Sequence, residues 1–154
     1  MHGGDTEKQI YFYEHDFYVF SNFSSFKLLW KGYDWMTSEH AYHSEKFTDH
    51  PDLVEQLKQT RSAHDAFKFA NANRDKYPSN WDDTKLGVMK KILHAKVLQH
   101  PYVKKKLLDS GDKTLIEDSW RDTYWGWGSE KNGENHLGKL WMEVRGEVRS
   151  KEML

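Results

Sequence analysis

From Trp81 onward the apolar positions Leu86, Met89, Leu93 and Val97 step by three and four, and no other pattern restricts the fold of this chain as tightly. That period matches one face of a helix, so a long helix opens near Trp81 and must bury that face against other elements. His100-Pro101 ends it, because the residue before a proline is pushed out of helical backbone. A chain of 154 residues can close one hydrophobic core around such a helix but not two, which predicts a single domain.

The remaining elements follow from local signals. Residues 1–9 are polar and glycine-containing and are expected to be flexible, with the folded domain running over 10–149 and a short tail over 150–154. Residues 10–13 read as a strand, and the aromatic segment 17–26 as a strand or ordered loop around Ser21-Asn22-Phe23. Residues 26–30 and 33–35 form a hairpin across Lys31-Gly32. Thr37 is the N-cap of a helix extending to about Phe47. Pro51 opens a helix carrying Leu53, Val54 and Leu57, and Ser62 with Asp65 resembles a capping box before Ala66, Phe67 and Ala70. Tyr77-Pro78-Ser79-Asn80 is a break. A short helix holds Val103 and Leu107 and stops at Gly111, residues 114–117 are a strand, and Leu137, Leu140, Trp141, Val144 and Val148 mark a last amphipathic helix. The fold class is therefore α+β, a helix-rich domain with a small antiparallel sheet.

Composition narrows the function classes. Acidic and basic side chains nearly cancel, leaving a formal charge of -1, so bulk electrostatics recruit neither nucleic acid nor an anionic membrane. With no cysteine, thiolate catalysis and cysteine-ligated metal are excluded. No apolar run is long enough for a bilayer and the polar N-terminus lacks a signal-peptide core, which predicts a soluble, cytoplasmic protein with no membrane partner. Seven Trp, eight Tyr and eight Phe supply bulk for a core or for a pocket.

Two segments carry candidate chemistry. Glu39, in Trp35-Met36-Thr37-Ser38-Glu39-His40, falls in a first helical turn, where the backbone field favours a carboxylate. It either complements the helix dipole or serves as base, nucleophile or stabiliser of positive charge. Asp122 precedes Tyr124-Trp125-Gly126-Trp127-Gly128, where a loop carboxylate either caps a turn or binds a ribose hydroxyl and moves protons. The glycine beside Trp125 allows backbone or ligand to approach closely. Trp81 either fills the core or stacks on a planar base. His40, His43 and His50 cluster without the spacing of a zinc helix, and no metal is expected. Lys104-Lys105-Lys106 reads as a solvated helix face. Gly126-Trp127-Gly128 is too short for a dinucleotide fingerprint.

Taken in order, Phe20-Ser21-Asn22-Phe23, Trp35-Met36-Thr37-Ser38-Glu39-His40-Ala41-Tyr42, Lys46-Phe47, Asn80-Trp81, Ala95-Lys96, Asp122-Thr123-Tyr124-Trp125-Gly126, Asn135-His136-Leu137-Gly138 and Met142-Glu143-Val144-Arg145 resemble the NADAR family, also called YbiA-like, across nearly the whole chain. The resemblance implies hydrolysis of an N-glycosidic bond to ribose. It implies catalytic roles for Glu39, Asp122 and the base-side Trp81, and substrate contacts from Asn22, Lys46, Trp125, Gly126 and Asn135, with no cofactor. The expected substrate is a small ribosylated molecule such as a phosphoribosylamino-pyrimidine of riboflavin synthesis. The alternatives are an ADP-ribosylated nucleobase in nucleic acid, and a non-catalytic sensor of an ADP-ribose-like ligand. The chain departs from the family where His43-Ser44 follow Tyr42 in place of the frequent Gln-Ala, which bears on substrate identity.

Overall fold

The computed structural model describes residues 8–13 and 18–152. Residues 1–7 of the expected flexible terminus, Phe17, and residues 153–154 of the expected tail lie outside that range. The described residues are helix-rich α+β and fall into two compact units, Asn22–Gln99 and the described parts of Met1–Ser21 with His100–Leu154.

Within Asn22–Gln99, strands β2 (Leu28–Trp30) and β3 (Tyr33–Trp35) form the antiparallel hairpin, with Leu28 opposite Trp35 and Trp30 opposite Tyr33. Its two turn residues, Lys31 at φ 49° and Gly32 at φ 82°, are both left-handed, the turn whose twist matches that of the paired strands. Helix α1 (Ser38–Ser44) begins where Thr37 Oγ1 accepts the His40 N–H at 3.2 Å. It stops earlier than the sequence suggests and tightens into a 3-10 turn over Glu45–Phe47. Helix α2 (Pro51–Lys58) has its proline at the first turn, and α3 (Ala63–Ala72) is capped by Ser62 Oγ accepting the Asp65 N–H at 3.0 Å.

The long helix is α4 (Trp81–Gln99). Its buried stripe is Met89, Ile92, Leu93 and Val97, and Ile92 joins Leu28, Trp35, Ala41, Leu57 and Ala66 in one core cluster. One member of that buried face is charged by type. Lys96 is fully buried, with Nζ 2.8 Å from Ser24 Oγ and 5.3 Å from the centre of the Phe26 ring, and burial pushes its pKa down to about 7. At its end, Gln99 closes the edge of β2 by accepting from Leu29 N at 2.8 Å and donating to Leu29 O at 2.9 Å.

In the other unit, β1 (Gln9–Phe12) pairs with β4 (Thr114–Glu117) in parallel, from Gln9 opposite Thr114 to Phe12 opposite Glu117. This parallel pair comes in addition to the small antiparallel sheet that the sequence predicts. Alternation identifies a strand but not its partner, and parallel neighbours need a long crossover between them. Within the aromatic segment, Tyr18–Phe20 form a 3-10 turn rather than a strand. Phe20 packs on Phe12 and Trp141, and its carbonyl accepts the Trp141 indole N–H at 3.0 Å.

Helix α5 (Pro101–Asp109) and helix α6 (His136–Glu152) complete this unit, and α6 packs along β4. The approach is close because residue 138 is glycine: a Cβ there would lie 2.0 Å from the Leu115 carbonyl oxygen. Ser150, Lys151 and Glu152 continue α6.

Candidate active site

All seven residues of α1, Ser38 to Ser44, are buried, although only Ala41 and Tyr42 are apolar or aromatic. Burying so polar a helix is unfavourable unless its polar groups find partners. Several do. Thr37 Oγ1 lies 2.8 Å from His40 Nδ1, Ser44 Oγ donates to Ala41 O at 2.6 Å, and the Glu39 N–H donates to Asn22 O at 3.1 Å. Another contact joins Glu39 and His43, one helical turn apart, with Oε1 and Nε2 separated by 2.6 Å. Burial lowers the His43 pKa below its usual value, and the Glu39 charge opposes that shift.

Beyond this pair the chain turns tighter and brings Lys46 into a nest of rings. Its Nζ lies 5.1 Å from the Tyr42 ring centre, 4.7 Å from Tyr77 and 5.8 Å from Trp81, and donates to the Tyr77 hydroxyl at 3.3 Å. Such rings present their negative faces to a cation. Burial still dominates, and with Lys85 and Arg74 it outweighs the attraction of Glu39, bringing the Lys46 pKa down to about 8. Trp81 is 7% exposed, tilted against Tyr42 at 5.4 Å and edge-on to Tyr77 at 6.4 Å. Asn22 donates from Nδ2 to Met89 Sδ at 3.4 Å, while its buried Oδ1 accepts no hydrogen bond from the described residues. Glu39, Lys46, Trp81 and Asn22 are thus gathered in one unit, with an acceptor left open and a cation held in a largely apolar wall.

The other four sequence-derived candidates cluster in the loop between β4 and α6. Asp122 Oδ1 accepts the N–H groups of Tyr124 and Trp125 at 2.9 and 2.8 Å, so the carboxylate caps its own turn. Asn135, at φ 50°, donates to Leu115 O at 3.0 Å and accepts from Glu117 N at 2.9 Å, which ties the loop to β4 with both ends of its amide. A Cβ at Gly126 would come within 2.9 Å of Glu117 O and 3.0 Å of Asp122 O. The loop carbonyls of Tyr124 and Trp125 take the first two N–H groups of α6, at 3.0 and 3.1 Å. Trp125 is half-buried, edge-on to Tyr124 at 4.9 Å.

Two participants escape a reading of motifs alone. His43 reads as a departure from the family pattern, yet it is the side chain in contact with Glu39; the spacing of four from Glu39 was the available signal. Tyr77 reads as part of a helix break, and only the folded chain carries it over to Lys46.

The model of the NADAR domain matches residues 11–149. This chain belongs to the NADAR family. The N-glycosidase Npun_R5314 of Nostoc punctiforme is 33% identical to this NADAR chain, over 92% of the chain and 93% of the relative. The N-glycosidase YbiA of Escherichia coli is 34% identical over 92% of the chain and 88% of the relative. The NMR structure of E. coli YbiA superposes with a TM-score of 0.86, covering 97% of this chain and 89% of that one at 32% identity. The riboflavin biosynthesis protein VVA0006 of Vibrio vulnificus is 35% identical over 92% of the NADAR chain, which spans 39% of that longer protein.

Proposed function

We propose that this NADAR protein is an N-glycosidase that hydrolyses the C–N bond between a ribose phosphate and a base-like amine, with Glu39 as its central carboxylate. The enzyme class rests on its full-length similarity to two proteins named as N-glycosidases. The observation that carries the mechanism is the Glu39 carboxylate, 8% exposed and fastened through one oxygen by His43, with Lys46 held among three aromatic rings in the same unit.

Breaking a ribosyl C–N bond leaves positive charge on the sugar carbon and ring oxygen. A carboxylate already fixed in a water-poor place stabilises that charge without reorganising, and it also accepts a proton from the attacking water. Trp81 supplies an aromatic face for the leaving base. Lys46, a cation below about pH 8, pairs with the substrate phosphate, and the open Oδ1 of Asn22 accepts a ribose hydroxyl. Asp122 keeps the role implied by the family resemblance, on ribose hydroxyls or in proton transfer. Trp125 offers a second stacking surface. Gly126 and Asn135 act through the shape of their loop, since close packing and the β4 backbone engage them. None of these steps calls for a metal or redox cofactor.

The small substrate is favoured by the similarity to a riboflavin biosynthesis protein and by the near-zero net charge. One observation favours the larger alternative, an ADP-ribosylated nucleobase in nucleic acid: Trp120 is 59% exposed, with the Arg121 guanidinium 4.6 Å from its ring centre, a pairing that can stack on an extra base. Incubating the purified protein separately with a phosphoribosylamino-pyrimidine and an ADP-ribosylated guanine oligonucleotide separates the two. Ribose phosphate released from the first substrate alone is the expected result. ADP-ribose released from the second alone would reassign the protein to nucleic-acid repair, and binding without turnover of either would make it a sensor.

A further inference from the structure

We propose, on the basis of the glycosidase reading above, that His43 is the positioning residue of Glu39: its Nε2–H holds Oε1 and leaves Oε2 to face the reaction. Oε2 accepts no hydrogen bond among the described residues. The imidazole is held in turn by its surroundings, 2% exposed, with its ring 5.4 Å from Tyr42 and 6.2 Å from Phe67.

The proton arrangement follows from the other ring nitrogen. His43 Nδ1 is buried and has no hydrogen-bond partner among the described residues. A proton on Nδ1 would be an N–H without an acceptor, in the imidazolium and in the Nδ1–H tautomer alike. The Nδ1–H tautomer facing an ionised Glu39 would also set two lone pairs against each other at 2.6 Å. Only the neutral ring protonated at Nε2 and donating to the Glu39 carboxylate leaves no buried N–H unpaired. The lowered pKa of His43 agrees with that neutral form. The charged and titratable groups around it are Glu39 and His40 on the same helix and Lys46 in the following turn, with Asp65 of α3 acting on His40, and Arg74 and Lys85 acting on Lys46.

A glutamine at this position would also offer an N–H to Oε1 but would not titrate. The chain's departure from the family pattern therefore adds a protonation step beside the carboxylate. Acidification drives a proton onto Nδ1, charges the ring and weakens Glu39 as a base.

The test compares the wild type with His43→Leu and His43→Gln on the phosphoribosylamino-pyrimidine, alongside imidazole nitrogen NMR of the wild type and Glu39→Gln. The expected kinetic result is a fall in kcat of about 100-fold for His43→Leu with KM little changed, as for a misplaced catalytic group. His43→Gln should restore most of kcat and carry the acid limb of its pH profile to lower pH. The expected spectra show His43 as the Nε2–H tautomer, with a still lower pKa once Glu39 is neutralised. Wild-type kcat in a folded His43→Leu, or an Nδ1–H tautomer in the wild type, would overturn the proposal. If the wild type turned over neither the pyrimidine nor the oligonucleotide, the glycosidase reading would fail while the spectra still decided whether His43 holds Glu39.

Discussion

The Lys46 ammonium lies 4.7 Å from the centre of the Tyr77 ring and 3.3 Å from the hydroxyl of that same residue, so one tyrosine contacts the cation through both its face and its oxygen. Burial, with Lys85 and Arg74 adding to it against the attraction of Glu39, leaves Lys46 with a pKa of about 8. If Lys46 pairs with a substrate phosphate, affinity depends on its charged form. KM for a phosphorylated substrate should then stay flat below pH 8 and rise by about tenfold for each pH unit well above it. Lys46→Met should raise KM by about tenfold or more at pH 7, the scale of a lost charge-assisted hydrogen bond, and abolish the pH dependence. Steady-state kinetics across pH 6–10 measure both.

Lys96 makes a separate prediction about stability. Its pKa is pushed from 10.5 to about 7 by burial in the folded chain. Between those values the unfolded chain holds a proton that the folded chain lacks, so stability rises with pH through that window. Below pH 7 both states are protonated and the burial penalty is fully present. Lys46 contributes in the same direction only above about pH 8, which leaves pH 7 to 8 as the interval to examine. Lys96→Met should flatten the slope there and raise stability at pH 6 by on the order of a few kcal/mol, as replacing a buried charge by an apolar chain of similar length often does. Urea midpoints at pH 6, 7 and 8 provide the check.

Helix positions were legible in the sequence because apolar period, proline and capping residues are local. Thr37, Ser62 and Pro51 each mark the helix start that they predicted, and His100-Pro101 follow the last residue of α4 as expected. The hairpin partners β2 and β3 were legible through the Lys31-Gly32 turn, but the distant pair was not: nothing local in residues 9–12 says that they pair in parallel with residues 114–117. The same limit applies to the site. Glu39, Trp81, Lys46 and Asn22, the residues proposed to act, stand at motif positions, whereas the place of Tyr77 depends on where the end of α3 brings the chain. Asn135 illustrates the opposite case, a polar motif residue whose amide is engaged by the β4 backbone. Lys96 was visible as a motif position, but its burial appears only when the stripe of α4 is seen in the core.

Asp122 separates charge from capping. Its Oδ1 caps Tyr124 and Trp125, an acceptor function that asparagine retains. Asp122→Asn should unfold at the wild-type midpoint yet lose kcat if the negative charge takes part in the reaction. Asp122→Ala should lose about 1 kcal/mol of stability as well, the usual cost of a missing side-chain cap. Wild-type kcat in Asp122→Asn would confine Asp122 to shaping the loop.

The most direct test of the account is single-turnover hydrolysis of a phosphoribosylamino-pyrimidine by the wild type and Glu39→Gln, with calorimetric binding of ribose 5-phosphate to both. The amide keeps the shape of the side chain and an oxygen for His43, but it removes the charge that stabilises the ribosyl cation. The account predicts turnover lowered by at least about 1000-fold, the scale of a lost electrostatic stabiliser, with binding and thermal midpoint close to wild type. Equal turnover in Glu39→Gln would contradict it and remove Glu39 from the chemistry.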